Sequence, residues 1–288
     1  MGSPSITICH GLPPVDLADA SLLLSRCNLN EGLDLALNLA VEGAPDAQEV
    51  SQLLYREDGQ LVGLLTIDGS REIEVSLGVD PAHRRRGIGR RLLDAARLQC
   101  SNRGQKSWIL VVDEAAASGR AFVRAVGGSY QSSEYRLELA RDRVPAPREW
   151  DRPAQLRQAG PGDAELLSRL VAESSGDPLD EVMTRVSRDL AKPNHRFDIA
   201  TLDGMPIGQI RTNFYGDVIY ITAFGVVPEY RARGFGRQIL EATVRRLIAE
   251  DWPHIRIEVA TNNANALGLY QSSGFNVKTE YGYYHQEI

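Results

Sequence analysis

The amino-acid sequence predicts a mixed α/β fold in which one domain of about 140 residues occurs twice in tandem. The first observation behind this prediction is a repeat, because residues 76–90 match residues 223–237 at a constant separation of 147 residues. The second observation is the order of elements in the second half, which reads strand, two helices, three strands, helix, strand, helix, strand. Since this order combines hairpins with strand–helix–strand crossovers, we expect a mixed sheet in each copy.

Glycine, proline and arginine carry the repeat. The pairs that keep the separation of 147 residues are Gly78/Gly225, Val79/Val226, Pro81/Pro228, Arg84/Arg231, Gly87/Gly234 and Gly89/Gly236. Further along the chain, Gly127 and Gly274 keep the same separation. A register held over this distance indicates duplication of a domain.

A charged, proline-rich segment divides the two copies. It contains Pro145, Pro147 and Pro153, a composition typical of a stiff, extended linker. We therefore predict a first domain at 1–143, a linker at 144–154 and a second domain at 155–288.

The second copy shows the clearer pattern of elements. Asp163 is a candidate N-cap, and apolar residues follow it at helical spacing. Asp203-Gly204, between two apolar runs, predicts a hairpin. We expect strands at 155–159, 197–202, 206–213, 218–226 and 255–260 with the last strands in 275–286, and helices after Asp163 and at 179–190, 234–250 and 265–272. The first copy repeats this order from the Asp58-Gly59 hairpin onward.

Composition excludes several classes of function. The chain has 288 residues and a formal charge of −6, which argues against a broad nucleic-acid-binding face. It has no apolar run long enough to span a membrane and no basic start followed by an apolar stretch. We therefore expect a cytoplasmic protein with no membrane or nucleic-acid partner. The three cysteines and five histidines show no metal-binding spacing, so we predict no metal.

Each copy has a glycine-rich loop between an apolar strand and an amphipathic helix. In the second copy the loop is Arg231-Ala-Arg-Gly-Phe-Gly236, shortly after Pro228. Glycine lets the backbone approach a ligand closely, and the free N–H groups at a helix start favour an anion. A single Gly-x-Gly also occurs in simple tight turns, but two copies in one register with flanking arginines favour binding of a pyrophosphate.

Other nucleotide-binding motifs do not fit these loops. Neither copy has the Gly-Lys-Ser/Thr sequence of a Walker loop. Neither supplies the third glycine of the dinucleotide-binding fingerprint.

Both loops resemble the signature of the GCN5-related N-acetyltransferase (GNAT) superfamily, Arg/Gln-x-x-Gly-x-Gly/Ala after a strand that ends near Val-x-Pro. A later signature of the superfamily, Asn-x-x-Ala-x-x-Leu-Tyr-x-x-x-Gly-Phe, is matched in the second copy by Asn263, Ala266, Leu269, Tyr270, Gly274 and Phe275. The resemblance implies two tandem acyl-CoA N-acyltransferase domains. We expect them to form a pseudo-dimer within a monomeric chain, an architecture similar to that of mycothiol synthases.

The resemblance also implies an activity and a set of site residues. Acetyl-CoA would be the cosubstrate, and the primary amine of a small molecule or peptide would attack it directly. Tyr270 would act as the general acid that protonates the departing thiolate. The implied cofactor contacts are Phe224, Gly225, Val226, Arg231, Ala232, Arg233, Gly234, Phe235, Gly236, Arg237 and Asn263 in the second copy, and Val79, Arg84, Arg86, Gly87, Ile88 and Gly89 in the first.

The first copy departs from the superfamily pattern outside its phosphate loop. At the separation of 147 residues, Tyr270 corresponds to Val123, Asn263 to Ala116 and Phe275 to Gly128. A valine cannot donate a proton. We therefore expect a degenerate first copy that binds coenzyme A or only supports the fold, while the second copy carries the chemistry.

The sequence leaves the general base open. The strand at 218–226 has no carboxylate, so the candidates are Asp217 before it, Glu258 on the next strand, Glu229 in the loop, or a water chain. In the first copy, Glu72 and Glu74 fit a solvated strand face better than a base.

The acceptor and the alternatives also stay open. A non-catalytic acyl-CoA-binding sensor or interaction protein is the alternative from another class. The precursor amine of mycothiol is a minority option, because mycothiol synthases keep a glutamate on the strand that here lacks one.

Overall fold

The computed structural model describes residues 4–35, 37–42, 51–69 and 72–288. Their contacts divide the chain into two compact units, of which the first unit contains 1–134 together with 279–288 and the second unit contains 135–278. The predicted limits at 1–143 and 155–288 describe the duplication in the sequence, and they stay a prediction.

The first unit holds helices on a sheet whose strands run β1-β2-β3-β4-β5 and end with the last strand of the chain, β12. Only β4 and β5 pair in parallel, while the other neighbours for which the register is known are antiparallel. The elements are β1 (Ser5–Cys9), α1 (Pro14–Glu31), β2 (Ser51–Glu57), β3 (Gln60–Asp68), β4 (Glu74–Val79), α2 (Ile88–Asn102), β5 (Ser107–Asp113), α3 (Ala117–Val126), the start of β6 (Ser129–Leu139) and the end of β12 (Phe275–Glu287).

The second unit repeats this design. Its sheet runs β7-β8-β9-β10-β11 and ends with β6, of which residues from Tyr135 onward belong to this unit. The elements are β7 (Gln155–Gln158), α4 (Ala164–Ser175), α5 (Leu179–Leu190), β8 (His195–Leu202), β9 (Met205–Tyr215), β10 (Val218–Val226), α6 (Phe235–Ala249), β11 (His254–Ala260) and α7 (Ala264–Ser272). Each unit therefore takes a strand from the other copy of the repeat, which the sequence did not predict.

The element predictions for the second copy are confirmed, two of them at the predicted bounds, except that 275–286 holds one strand, β12, and not several. Asp203 (φ 51°) and Gly204 (φ 82°) both have positive φ, as a two-residue hairpin turn of this kind requires. Asp163 is the N-cap residue of α4, as predicted, but its side chain does not cap the helix. The Asp163 carboxylate accepts hydrogen bonds from the Gly160 N–H (2.8 Å) and from Arg157, and it makes no side-chain bond to the helix.

Two helical layers enclose the sheet of the second unit. Ile219 and Ile221 of β10 belong to a core with α6. On the opposite face, Phe197 and Ile199 of β8 pack with α4 and α5. Because side chains alternate along a strand, the Thr222 side chain lies on the face of β10 that is turned away from α6. Among the described residues, no helix combines the length and the hydropathy that a membrane-spanning segment needs.

We predict that Asp198→Ala destabilises the second unit by about 3 kcal/mol. Asp198 is fully buried and accepts two hydrogen bonds from the Arg246 guanidinium, one of them at 2.8 Å. Its removal leaves a half-buried cation without its partner. Urea denaturation would measure the change in the free energy of unfolding. Glu165→Ala, which removes an exposed ion pair with Arg169, is the control and should cost below about 0.5 kcal/mol.

Candidate active site

A slot opens in the second unit where β10 and β11 separate. The two strands pair in parallel from Val218 and His254 to Ile221 and Ile257, and the pairing ends there. Beyond this point β10 continues beside β9 alone, to Val226. The free edge of β10 can therefore offer backbone groups to a ligand that lies in the slot.

A β-bulge lies at the start of this slot. Arg211 pairs with Thr222 and Gln209 pairs with Gly225, so that two residues of β10 stand opposite one of β9. The first of the two, Ala223, has φ 42°. A bulge leaves its extra residue out of the ladder and bends the strand, which frees the backbone here. In the first unit, β3 and β4 pair from Gly63/Val79 to Asp68/Glu74 without any shift in register.

The glycine-rich loop holds its amides ready for an anion. Ala232 (φ 56°) and Gly234 (φ 83°) are both left-handed, and α6 begins with the Gln238 N–H donating to the Gly234 carbonyl (3.1 Å). The amide hydrogens ahead of Gln238 at the helix start are therefore left for a ligand.

The loop of the first unit has the same conformation. Arg85 (φ 62°) and Gly87 (φ 82°) are left-handed, and the Arg91 N–H donates to the Gly87 carbonyl (3.0 Å). Both loops therefore keep the backbone geometry that can bind a diphosphate.

The first arginine of each motif fastens the loop to its neighbours. Arg231 donates from Nε to the Val226 carbonyl (2.9 Å) and from Nη2 to the Ser174 carbonyl (2.9 Å). Arg84 donates from Nε to the Val79 carbonyl in the same way (3.1 Å). These guanidinium groups therefore position the loop, and direct phosphate contact by them stays a prediction.

The other two loop arginines also have neighbours. The Arg233 guanidinium lies 5.3 Å from the centre of the Tyr230 ring. Arg237 donates to the Ser272 hydroxyl of α7 (2.8 Å). Arg237 therefore links the helix that follows the loop to the helix that carries Tyr270.

Tyr270 lies on the same side of the unit as the phosphate loop. Its ring centre is 6.5 Å from that of Phe224, and the tip of the Phe224 ring is 3.7 Å from where a Cβ on Gly236 would lie. Phe224 thus lies between the helix start and the phenol. Tyr270 is 7% exposed, and burial raises the pKa of its hydroxyl to about 12.

Asn263 has a structural role that the sequence motif did not show. Its side-chain Oδ1 accepts a hydrogen bond from the Ala266 N–H (3.1 Å) and so caps α7, the helix of Tyr270. Ala116, its counterpart, gives α3 no side-chain cap. A cofactor contact by Asn263 stays a prediction.

Of the three candidate bases, Glu258 lies at the slot. Thr222 and Glu258 are the next residues along the two strands after their last pair, and Glu258 forms an ion pair with Arg136 (3.1 Å). Asp217 precedes β10 at its other end, about 17 Å away along the strand. Glu229 lies exposed in the short 3-10 helix before the loop.

One residue that the sequence placed in the linker lies beside the phosphate loop. The Trp150 ring is 3.8 Å from where a Cβ on Gly234 would lie. The Ala154 N–H donates to the Gln238 side chain (2.8 Å), which donates back to the Arg152 carbonyl (3.3 Å). The linker therefore docks on the start of α6. The sequence signal that could have indicated this contact is a single aromatic residue within a charged, proline-rich segment.

Comparisons with known families agree with this geometry. Residues 164–275 match the model described as "Acetyltransferase (GNAT) family", and residues 49–132 match the "Acetyltransferase (GNAT) domain". The chain belongs to the GNAT superfamily. The two matches fall on the two copies of the repeat, as the phosphate loops predict.

Known GNAT proteins resemble the chain over most of its length. It is 28% identical to a mycothiol acetyltransferase of Clavibacter sepedonicus, over 93% of this chain and 91% of the relative. It is 29% identical to a mycothiol acetyltransferase of Clavibacter michiganensis subsp. michiganensis, over 76% of this chain and 74% of the relative.

Solved structures share the fold. A GCN5-related N-acetyltransferase from Sphaerobacter thermophilus has a TM-score of 0.76 at 17% identity, covering 98% of this chain and 95% of that one. A tandem GNAT protein from the clavulanic acid biosynthesis pathway has a TM-score of 0.71 at 20% identity, covering 98% of both chains. Known GNAT proteins therefore share the tandem α/β architecture of this chain.

We predict that Tyr270→Phe lowers kcat by roughly 10²–10⁴-fold and changes KM for acetyl-CoA little. The phenol has a pKa of about 12, so it stays protonated below that pH and its ionisation should cause no alkaline loss of wild-type activity up to about pH 10. Thiol release from acetyl-CoA would measure both effects. Tyr130→Phe, at an exposed tyrosine of the first unit, is the matched control. Undiminished turnover by Tyr270→Phe at neutral pH would contradict the assignment.

Proposed function

We propose that the protein is an N-acetyltransferase whose second unit transfers an acetyl group from acetyl-CoA to a primary amine. The observation that supports this most strongly is the convergence of three features around Phe224: the bulged free edge of β10, the open amides of the phosphate loop, and the buried Tyr270 hydroxyl. Membership of the GNAT superfamily supports an acyltransferase in general.

The residues of the slot fit coenzyme A as a substrate. The amides ahead of Gln238 would bind its diphosphate, and the edge of β10 from Phe224 to Val226 would hydrogen-bond its pantetheine amides. Gly236 lacks a side chain where Phe224 and Leu269 lie 3.7 Å from its Cβ position. Gly236 therefore adds no bulk beside these two side chains at the helix start, where the diphosphate would bind.

The proposed reaction is a direct attack on the thioester. The amine nitrogen bonds to the carbonyl carbon, and the carbon–sulfur bond then breaks. The backbone freed by the bulge at Ala223 and Phe224 would stabilise the negative oxygen that forms. The departing thiolate takes its proton from Tyr270, and the amine loses a proton to a base.

We propose Glu258 as that base, directly or through one water molecule. It lies at the slot beside Thr222, whereas Asp217 and Glu229 do not. The Arg136 ion pair holds the carboxylate in place.

The first unit lacks the side chains that the proposed reaction uses. Val111, Ala116 and Val123 occupy the positions of Glu258, Asn263 and Tyr270, and its β4 has no bulge. We therefore propose that only the second unit is catalytic. The alternative of a non-catalytic acyl-CoA-binding sensor would apply to the whole chain if the second unit also proved inactive.

The amine of the mycothiol precursor is the second candidate acceptor. The relatives named mycothiol acetyltransferase, at 28% and 29% identity, favour it. Against it stands β10, where Val218–Val226 contains no carboxylate.

A panel of amines tests the proposed function. Purified protein and acetyl-CoA would be mixed with the mycothiol-precursor amine, amino acids, aminoglycosides and a peptide N-terminus, and thiol release would be followed. At least one amine should give turnover that depends on Tyr270. Tight binding of acetyl-CoA without release by any amine would instead support the sensor.

Glu258→Gln should lower kcat by about 10²-fold or more, because the amine then loses its proton acceptor. Asp217→Asn and Glu229→Gln, which remove carboxylates away from the slot, should each stay within about twofold of the wild type. Equal effects of the three substitutions would exclude Glu258 as the base.

A further inference from the structure

The first unit contains a cavity between β4 and β5. Their parallel pairing ends at Val75 and Leu110, and a space of about 460 Å³ follows, within the range of small-molecule pockets. Residues of the phosphate loop line one end, and residues of α1 and the segment after it line the other, among them Cys27, Leu33 and Leu35. A ligand could therefore extend from the loop through the sheet to α1.

One oxygen of a buried carboxylate in the wall of this cavity accepts no hydrogen bond from the described residues. Asp113 is 2% exposed. Its Oδ1 accepts from the Ala115 N–H (2.9 Å), whereas its Oδ2 accepts no hydrogen bond among the described residues. A buried oxygen of this kind is costly unless a ligand donates to it. The pantetheine arm of coenzyme A carries two amide N–H groups and a hydroxyl, while a free fatty acid would bring a second negative charge.

The second carboxylate of the wall is already paired. Glu31, the last residue of α1, accepts hydrogen bonds from Arg84 and from the Ser118 hydroxyl and N–H. These bonds and the positive charge of Arg84 lower the pKa of Glu31, although burial opposes them. The paired group therefore adds little repulsion to an entering diphosphate.

The far end of the cavity is apolar where the second unit carries reacting groups. Val111 and Val123 replace Glu258 and Tyr270. Cys27, Leu33 and Leu35 line the wall on the α1 side, whereas Leu77 lies on the other face of β4, 3.7 Å from where a Cβ on Gly89 would lie. These side chains offer an amine no hydrogen-bond acceptor of note, but each buried methylene of an acyl chain would gain free energy there.

We propose that the first unit binds a CoA thioester whose acyl chain is longer than acetyl, such as octanoyl-CoA, and holds it without reaction. The diphosphate lies on the loop at Gly87, a pantetheine donor reaches Asp113, and the chain lies against Leu33 and Leu35. This inference rests on the proposed function only in taking both loops as sites for the diphosphate of coenzyme A.

Calorimetric titration of the full chain separates the two sites. Gly236→Glu places a carboxylate among the amides of the second loop, so that binding to this variant reports the first unit. Octanoyl-CoA should bind the variant at least tenfold more tightly than acetyl-CoA does, and free octanoate should not bind. Gly89→Glu should lose the octanoyl-CoA preference. Equal affinity of the two thioesters for Gly236→Glu would overturn the proposal.

A second pair of variants tests the apolar end alone. Leu33→Trp fills that end, and it should reduce octanoyl-CoA affinity to that of acetyl-CoA while acetyl-CoA still binds. Leu29→Trp, on the exposed face of α1 where Leu29 is 83% exposed, should leave both affinities and turnover unchanged. Retained octanoyl-CoA preference in a folded Leu33→Trp protein would contradict the proposal.

Turnover distinguishes a failure of this inference from a failure of the proposed function. Absence of thiol release with every amine would remove the proposed function and leave the octanoyl-CoA isotherm intact. Thiol release from octanoyl-CoA by Gly236→Glu and an amine would show that the first unit reacts, and would overturn the proposal that it holds its thioester unchanged.

Discussion

The site of the second unit depends on backbone groups that cannot be paired within the sheet. At the bulge β10 loses its regular register with β9, and after Ile221 it separates from β11. Buried backbone N–H and C=O groups need partners, so an open strand edge in a slot calls for a ligand that can supply them. The loop that follows adds the free amides of a helix start. The two kinds of unpaired group belong to one continuous stretch of chain, which would hold the proposed thioester and diphosphate sites in a fixed relation.

The two copies share the conformation of the phosphate loop and differ in the side chains that the proposed reaction uses. Both keep the left-handed residues of the phosphate loop and the arginine that fastens it. Only the second has the bulge and the phenol of Tyr270, whereas the first has valine at 111 and 123. Diphosphate binding uses backbone amides and so survives side-chain changes, while proton transfer needs particular side chains. The proposed inactivity of the first copy is therefore compatible with the proposed coenzyme A site in the same copy.

Strand exchange ties each unit to the other copy of the repeat. Residues 279–288 belong to the first unit, where Tyr281–Glu287 pair with β5. There the Tyr284 hydroxyl donates to Glu114 (2.7 Å), and burial together with that carboxylate raises its pKa to about 12. Neither copy, as the sequence divides them, contains all the strands of one unit.

The sequence by itself determined the duplication, the two phosphate loops, the order of elements in the second copy and the contrast between Tyr270 and Val123. These features are local, since a turn, a helix start or a motif is set by neighbouring residues. Tertiary structure decided the bulge at Ala223, the position of Glu258 beside Thr222, the docking of Trp150 and the exchange of β6 and β12. Such features depend on the register and pairing of strands distant in the chain, which leave no spacing signal in one sequence.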